Sequence, residues 1–168
     1  MSAEPITAQP GSTSQVNSVP QRLAELGLSL PAAPAALGAY VPVVISGNWA
    51  ITAGQIPMQN GQLLFPGAVG GSVTVEQAQQ AARQCILNGL AQLQAALGSL
   101  DRIRRIVRLD GYVCSAPGFQ AQPSVLNAAS ELLGQLFGDA GRHARVAVGV
   151  SELPLGAPVE IALWVEFA

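Results

Sequence analysis

The 168-residue sequence predicts one α/β (α+β) domain, a mixed β-sheet with two helices on one face. Three observations carry this prediction. Residues 143–168 alternate apolar and other side chains over two stretches, which is the period of strands. Residues 74–98 and 123–138 place apolar residues at helical spacing. Gly47-Asn48 and Asn60-Gly61 punctuate the first half as hairpin turns do.

The elements follow in order. Residues 1–20, rich in Ser, Pro, Thr and Gln, read as a disordered tail, and 21–168 as the domain. The tail lacks the basic start and apolar core of a secretory signal. Residues 21–27 suit about two helical turns ended by Gly27. Residues 30–40 are a proline-broken loop. Two short strands then flank Gly47-Asn48, where a leading glycine suits a type II′ turn. Asn60-Gly61 suits type I′, with Gln62 to Phe65 as a third strand.

Thr74 and Gln77 form a capping-box pattern at the start of the longest helix, and Gly98 suits its end. Residues 103–115 read as a strand. Pro123 suits the first turn of a second helix, which Gly138 ends. In the last two strands Val146, Val148 and Val150 oppose Arg145, Ala147, Gly149 and Ser151. Likewise Val159, Ile161, Leu163, Val165 and Phe167 oppose Glu160, Ala162, Trp164 and Glu166. Two helices cover one sheet face only, so the other, expected to carry Arg145 and Glu160, meets solvent or another subunit.

Composition narrows the function. Hydrophobic residues make up 49% and charged residues 11% of the chain, against roughly a quarter charged in ordinary domains. A surface so poor in charge suggests burial in an oligomer. The net charge of −2 gives no reason to expect nucleic acid or an anionic membrane as partner. Arg102, Arg104, Arg105 and Arg108 cluster on one strand, but acidic residues flank them and no stacking aromatics are interleaved. No apolar run reaches the ~18–20 residues that span a bilayer.

The absence of lysine excludes Schiff-base chemistry. Cys85 and Cys114 form no CxxC pair, and with one histidine, His143, there is no metal constellation; no metal or organic cofactor is expected. Two isolated thiols fit a reducing, cytoplasmic location. The glycines at 67, 70 and 71 lack a phosphate-loop pattern. No GxSxG accompanies His143, so a serine-hydrolase device is not indicated. Arg145, a lone guanidinium among small residues, suits either an intersubunit salt bridge or a small carboxylate held bidentately.

The ending HARVAVGVSELPLGAPVEI and the segment YVPVVISGNWAITAGQIP resemble the RidA/YjgF family of reactive-intermediate deaminases. The shared pattern is Arg145, then Leu153-Pro154, then Val159-Glu160-Ile161, with Tyr40, Gly47-Asn48 and Gly54-Gln55-Ile56-Pro57 upstream. The resemblance runs from about residue 22 to 168 and fits a subgroup with a longer N-terminus. It implies a chorismate-mutase-like fold and a homotrimer around a central barrel, with sites between subunits. It also implies hydrolysis of enamines and imines such as 2-aminoacrylate to 2-keto acids and ammonia, without a cofactor.

By this resemblance Arg145 holds the substrate carboxylate and Glu160 handles the attacking water. Tyr40 lines the cleft from the neighbouring chain, the backbone at Ala147 sits beside the substrate, and Asn127 is a further binding position. Val146 and Ala53 stand where the family commonly has serine. The expected partners are small carboxylate metabolites and further copies of the chain. Two other readings are a non-catalytic trimeric binder or sensor of small carboxylates, and an RNase, which would lack a His-His or His-Lys pair here.

Overall fold

A computed structural model of the chain describes residues 17–33 and 38–168. The tail expected over 1–20 lies outside the described residues as far as residue 16, as do residues 34–37 of the 30–40 loop.

Helix α1 (Val19–Glu25) starts two residues earlier than expected, because Ser18 and Gln21 close a capping box and Pro20 occupies the first turn. Asp101 Oδ1 accepts from the Val19 amide (2.8 Å), and Arg22 Nη1 donates to the Leu136 carbonyl (2.9 Å), tying α1 to the domain. Strands β1 (Val43–Ser46) and β2 (Trp49–Thr52) form the first hairpin. Gly47 has φ +59°, as the first central residue of a II′ turn requires.

Strands β3 (Met58–Gln59) and β4 (Gln62–Leu63) form the second hairpin around Asn60 and Gly61, both at positive φ as type I′ demands. This second hairpin corrects the expected topology. It forms a separate two-stranded sheet, and β4 ends before Phe65, which adopts φ +50° ahead of Pro66. A strand cannot continue through a left-handed residue followed by proline.

Helix α2 (Val75–Leu97) has the expected capping box and ends at Gly98 with φ +82°. Strand β5 (Ile103–Cys114), helix α3 (Gln122–Phe137), strand β6 (Ala144–Val150) and strand β7 (Val159–Phe167) complete the order. The main sheet is five-stranded, β1-β2-β7-β5-β6. Only β5 and β6 are parallel, because α3 supplies the crossover between them. Helices α2 and α3 pack together over one sheet face, on a core that includes Ile86, Leu90, Leu126, Leu132, Leu109 and Leu163.

The sheet register corrects the expected faces. Leu163, Leu109 and Arg145 are paired across β7, β5 and β6, and so are Ile161, Gly111 and Ala147. Paired residues share a face, and this face lies under the helices, buried in β5 and β7 and part-buried at Arg145 and Ala147 on the β6 edge. Glu160, Tyr112 and Val148 form a row of the opposite face. Arg145 and Glu160 therefore lie on opposite faces of one sheet.

On β6 Arg145, Ala147 and Gly149, not the valines, share the helix-side face, and on the neighbouring β5 α3 packs at close range. A Cβ on Gly111 would collide with the buried Leu126 side chain of α3. The uncovered face carries large apolar side chains, with Val44, Trp49, Tyr112, Val148 and Trp164 all exposed, alongside Glu160, Glu166, Arg108 and Asp110. Gly111→Val should lower unfolding stability by about 1–3 kcal/mol, since the core has no space for the added carbons. Denaturant titration checks this.

Candidate functional site

One group of chemistry-bearing side chains gathers at the β6 edge. Arg145 projects from β6 towards α3, where its Nη1 donates to Asn127 Oδ1 (3.1 Å) and to Ser130 Oγ (3.0 Å). Asn127 and Ser130 are three residues apart on α3 and so occupy neighbouring positions of one helix face. Ser130 Oγ also lies 3.0 Å from His143 Nε2, and His143 Nδ1 lies 2.6 Å from the Gly141 carbonyl.

A carbonyl can only accept, so Nδ1 carries the imidazole proton and Nε2 accepts from the Ser130 hydroxyl. Burial holds the His143 pKa below its ordinary value and the Arg145 charge adds to this, against the opposing effect of the Gly141 carbonyl. Burial and the Arg145 charge both favour the neutral imidazole at neutral pH. Ser130, His143 and Arg145 line an open cleft of about 310 Å³ with Gly134, Gly141 and Arg142.

Glu160 is the centre of a second cluster. Gln55 pairs with Ile161 through two backbone hydrogen bonds (2.8 and 3.0 Å), which bring Gly54 alongside β7. The Glu160 carboxylate rests over Gly54, where any Cβ would collide with it. Tyr112 of β5 is its neighbour in register. Burial raises the Glu160 pKa above the ordinary carboxylate value.

Tyr40 lies half exposed just ahead of β1, at the sheet edge opposite β6. Ala147 stands two residues beyond Arg145 on the same face, part-buried against the core. The fold thus joins Arg145, Asn127 and Ala147 in one place and puts Glu160 and Tyr40 elsewhere on the same chain.

Sequence reasoning missed Ser130 and the alignment of His143 with it. The only signal was the Asn127-to-Ser130 spacing, whose meaning depends on how α3 rotates against β6. The missed contact of Glu160 is Gly54, inside a segment already singled out. Val146 lies in register with Asp110, on the open face.

Other singled-out groups have structural places. Cys85 and Cys114 are free and buried, and burial raises both thiol pKa values, which disfavours the reactive thiolate. Arg102 is bonded to the carbonyls of Leu97 and Ala168 and stacks 5.2 Å from the Phe167 ring centroid. Arg108 pairs with Asp110 at 2.6 Å, and Trp164 Nε1 donates to the other oxygen of that carboxylate. Among the described residues no group of three or more His, Cys, Asp or Glu side chains is placed to hold a metal ion. No helix among them is long and apolar enough to cross a membrane.

Comparison with known proteins shows the family of the chain. The profile of the family described as "YjgF/chorismate_mutase-like, putative endoribonuclease" matches residues 20–167. The chain is 46% identical over 149 residues to Protein TCP17 of Trypanosoma cruzi, covering 88% of this chain and 93% of that protein. Among solved structures, the protein Atu1372 of Agrobacterium tumefaciens superposes with a TM-score of 0.83 at 47% identity, over 89% of this chain and 92% of that one. TdcF of E. coli, solved with bound serine, superposes with a TM-score of 0.55 at 25% identity, over 81% and 94%. With a profile spanning nearly every described residue, and close relatives on both sequence and structure, the chain belongs to the YjgF/chorismate-mutase-like family.

Proposed function

We propose that the protein hydrolyses 2-imino acids and their enamine tautomers to 2-keto acids and ammonia, in clefts between three copies of the chain. The observation that carries this reading is Arg145, a guanidinium held by α3 at the wall of an open cleft. Such a group suits the carboxylate common to substrate and product. The bound serine in TdcF, a small molecule with that same carboxylate, supports it.

The reaction asks little of the protein. A protonated imine carbon is already electrophilic, so water adds to it and forms a carbinolamine. Glu160 takes the proton that water loses and returns it to the nitrogen. As the C–N bond breaks and the C=O bond forms, it takes the carbinolamine hydroxyl proton, which leaves with the ammonia as ammonium. Water's oxygen ends in the keto acid. A carboxylate whose pKa burial raises is better matched to proton transfer near neutrality than an ordinary one. The contribution of Arg145 is orientation.

Assembly supplies what one chain lacks. Arg145 and Glu160 lie on opposite sheet faces, and Tyr40 at the far edge, so one ligand meets all three only across a junction of copies. The exposed apolar face around Tyr112, Val148 and Trp164 is the surface those copies cover in a closed ring with a central barrel.

The test generates imines in situ with an amino-acid oxidase and follows ammonia release. Addition of the protein should accelerate release from alanine-derived imines, and sedimentation equilibrium should give a trimer at micromolar concentration. A monomer would refute the shared site. A trimer that binds 2-keto acids but leaves ammonia release unchanged would favour the binder or sensor reading.

A further inference from the structure

The carboxylate-binding role of Arg145 depends on how its guanidinium is turned, and the hydrogen-bond accounting at this site is unusually complete. Arg145 Nη1 has two hydrogens, and both are committed, one to Asn127 Oδ1 and one to Ser130 Oγ. The pair that remains for a ligand is Nε with Nη2, the side edge of the fork. Ser130 can accept from Arg145 in this way only if its own hydrogen points elsewhere. His143 Nε2 takes that hydrogen, and the Gly141 carbonyl fixes the tautomer that leaves Nε2 free to take it. The chain of donors runs from Arg145 to Ser130 to His143 to Gly141 in a single direction.

We infer that Ser130 and neutral His143 are positioning residues for Arg145, presenting the Nε–Nη2 edge of its guanidinium to a 2-keto or 2-imino carboxylate. This inference rests on the proposed carboxylate role of Arg145. Protonation of His143 would reverse the link between Ser130 and His143. Nε2 would then donate to Ser130 Oγ in competition with Arg145, and two cations would face one hydroxyl oxygen. The nearby charges do not offset this. Arg142 and Asp139, on the turn before β6, face each other at 3.8 Å, and Glu131 of α3 is turned to Arg83 at 3.8 Å. In β5, Arg108 is engaged with Asp110 on the opposite sheet face.

The experiment is calorimetric titration of pyruvate into the full-length protein from about pH 8 to pH 5, the range over which histidine ionises. Wild-type affinity should stay level at neutral pH and fall as pH drops through the His143 ionisation, which lies below the ordinary histidine value. Ser130→Ala should bind roughly two- to tenfold more weakly at pH 7.5, the worth of one hydrogen bond. Its KM should rise by more than its kcat falls, because Ser130 acts on the carboxylate through Arg145 and does not touch the C=N bond. Ser130→Thr, which restores the hydroxyl, should recover affinity. His143→Gln keeps an acceptor for Ser130 but does not titrate, so it should bind like the wild type at pH 7.5 and lose the acid decline.

Wild-type protein that binds no 2-keto acid would overturn the Arg145 reading and this inference with it. If the wild type binds and Ser130→Ala binds equally well, this inference alone falls. It also falls if wild-type affinity rises on acidification, since His143 would then act as a second cation for the ligand.

Discussion

Arg145→Ala should nearly abolish binding of pyruvate and 2-ketobutyrate while leaving the fold intact. The side chain stands at the β6 edge, and its polar partners, Asn127 and Ser130, are neutral groups that water can serve once the guanidinium is gone. The loss of a charge-assisted contact in a partly dry cleft is worth about 1.5–3 kcal/mol, or roughly ten- to a hundredfold in affinity. Arg145→Lys keeps the charge but has no planar fork, and it cannot satisfy Asn127, Ser130 and a bidentate carboxylate together. It should therefore weaken binding substantially as well. Titration calorimetry on the wild type and both variants checks this, with sedimentation to confirm that assembly is unchanged. Equal binding by all three would reduce Arg145 to a structural role.

Glu160→Gln should lower turnover by about 10²–10⁴-fold, the usual worth of general acid-base help, and change keto-acid affinity far less. Its effect on stability separates this role from a structural one. Burial raises the Glu160 pKa in the folded chain, so the fold disfavours the charged form. A group of this kind contributes stability below its unfolded pKa and loses it as pH rises through the folded value. The wild-type thermal midpoint should decline across that window, from the ordinary carboxylate range upward. The glutamine variant should show a smaller decline and be no less stable at neutral pH. If Glu160 instead anchors the assembly through an ion pair, glutamine should lower the midpoint and loosen the trimer, with turnover falling only in step. Melts at several pH values, alongside kcat and KM, distinguish the two.

Local rules made most of the elements legible. The Thr74–Gln77 capping box, Gly98, Pro123 and Gly138 bound the two long helices where expected. The two hairpin turns also have the backbone that their residues demand. Such signals act within a few residues, so sequence spacing reports them directly. Alternation on β7 was equally plain, because that strand lies inside the sheet and its apolar row has one place to go.

The β6 strand shows where alternation fails. Its valines look like the buried row, yet Arg145, Ala147 and Gly149 face the helices and Val148 is exposed. Two facts that no local pattern holds decide this. Helix α3 packs close on β5 at Gly111, and the register of β6 on β5 carries Arg145 and Ala147 to that same face. The single-residue parity of a strand turns that choice into opposite faces for Arg145 and Glu160.

By itself the sequence determined the helix limits, the turns and Arg145 and Glu160 as residues to examine, which rest on residue type or on short-range spacing. The family and Asn127 came from the resemblance carried by its separated motifs. Only the tertiary structure decided that Asn127, Ser130 and His143 surround Arg145 and that Glu160 lies across the sheet over Gly54. Those relations join residues up to 106 positions apart (Gly54 and Glu160). They are fixed by strand register and helix rotation, which depend on how the whole core packs.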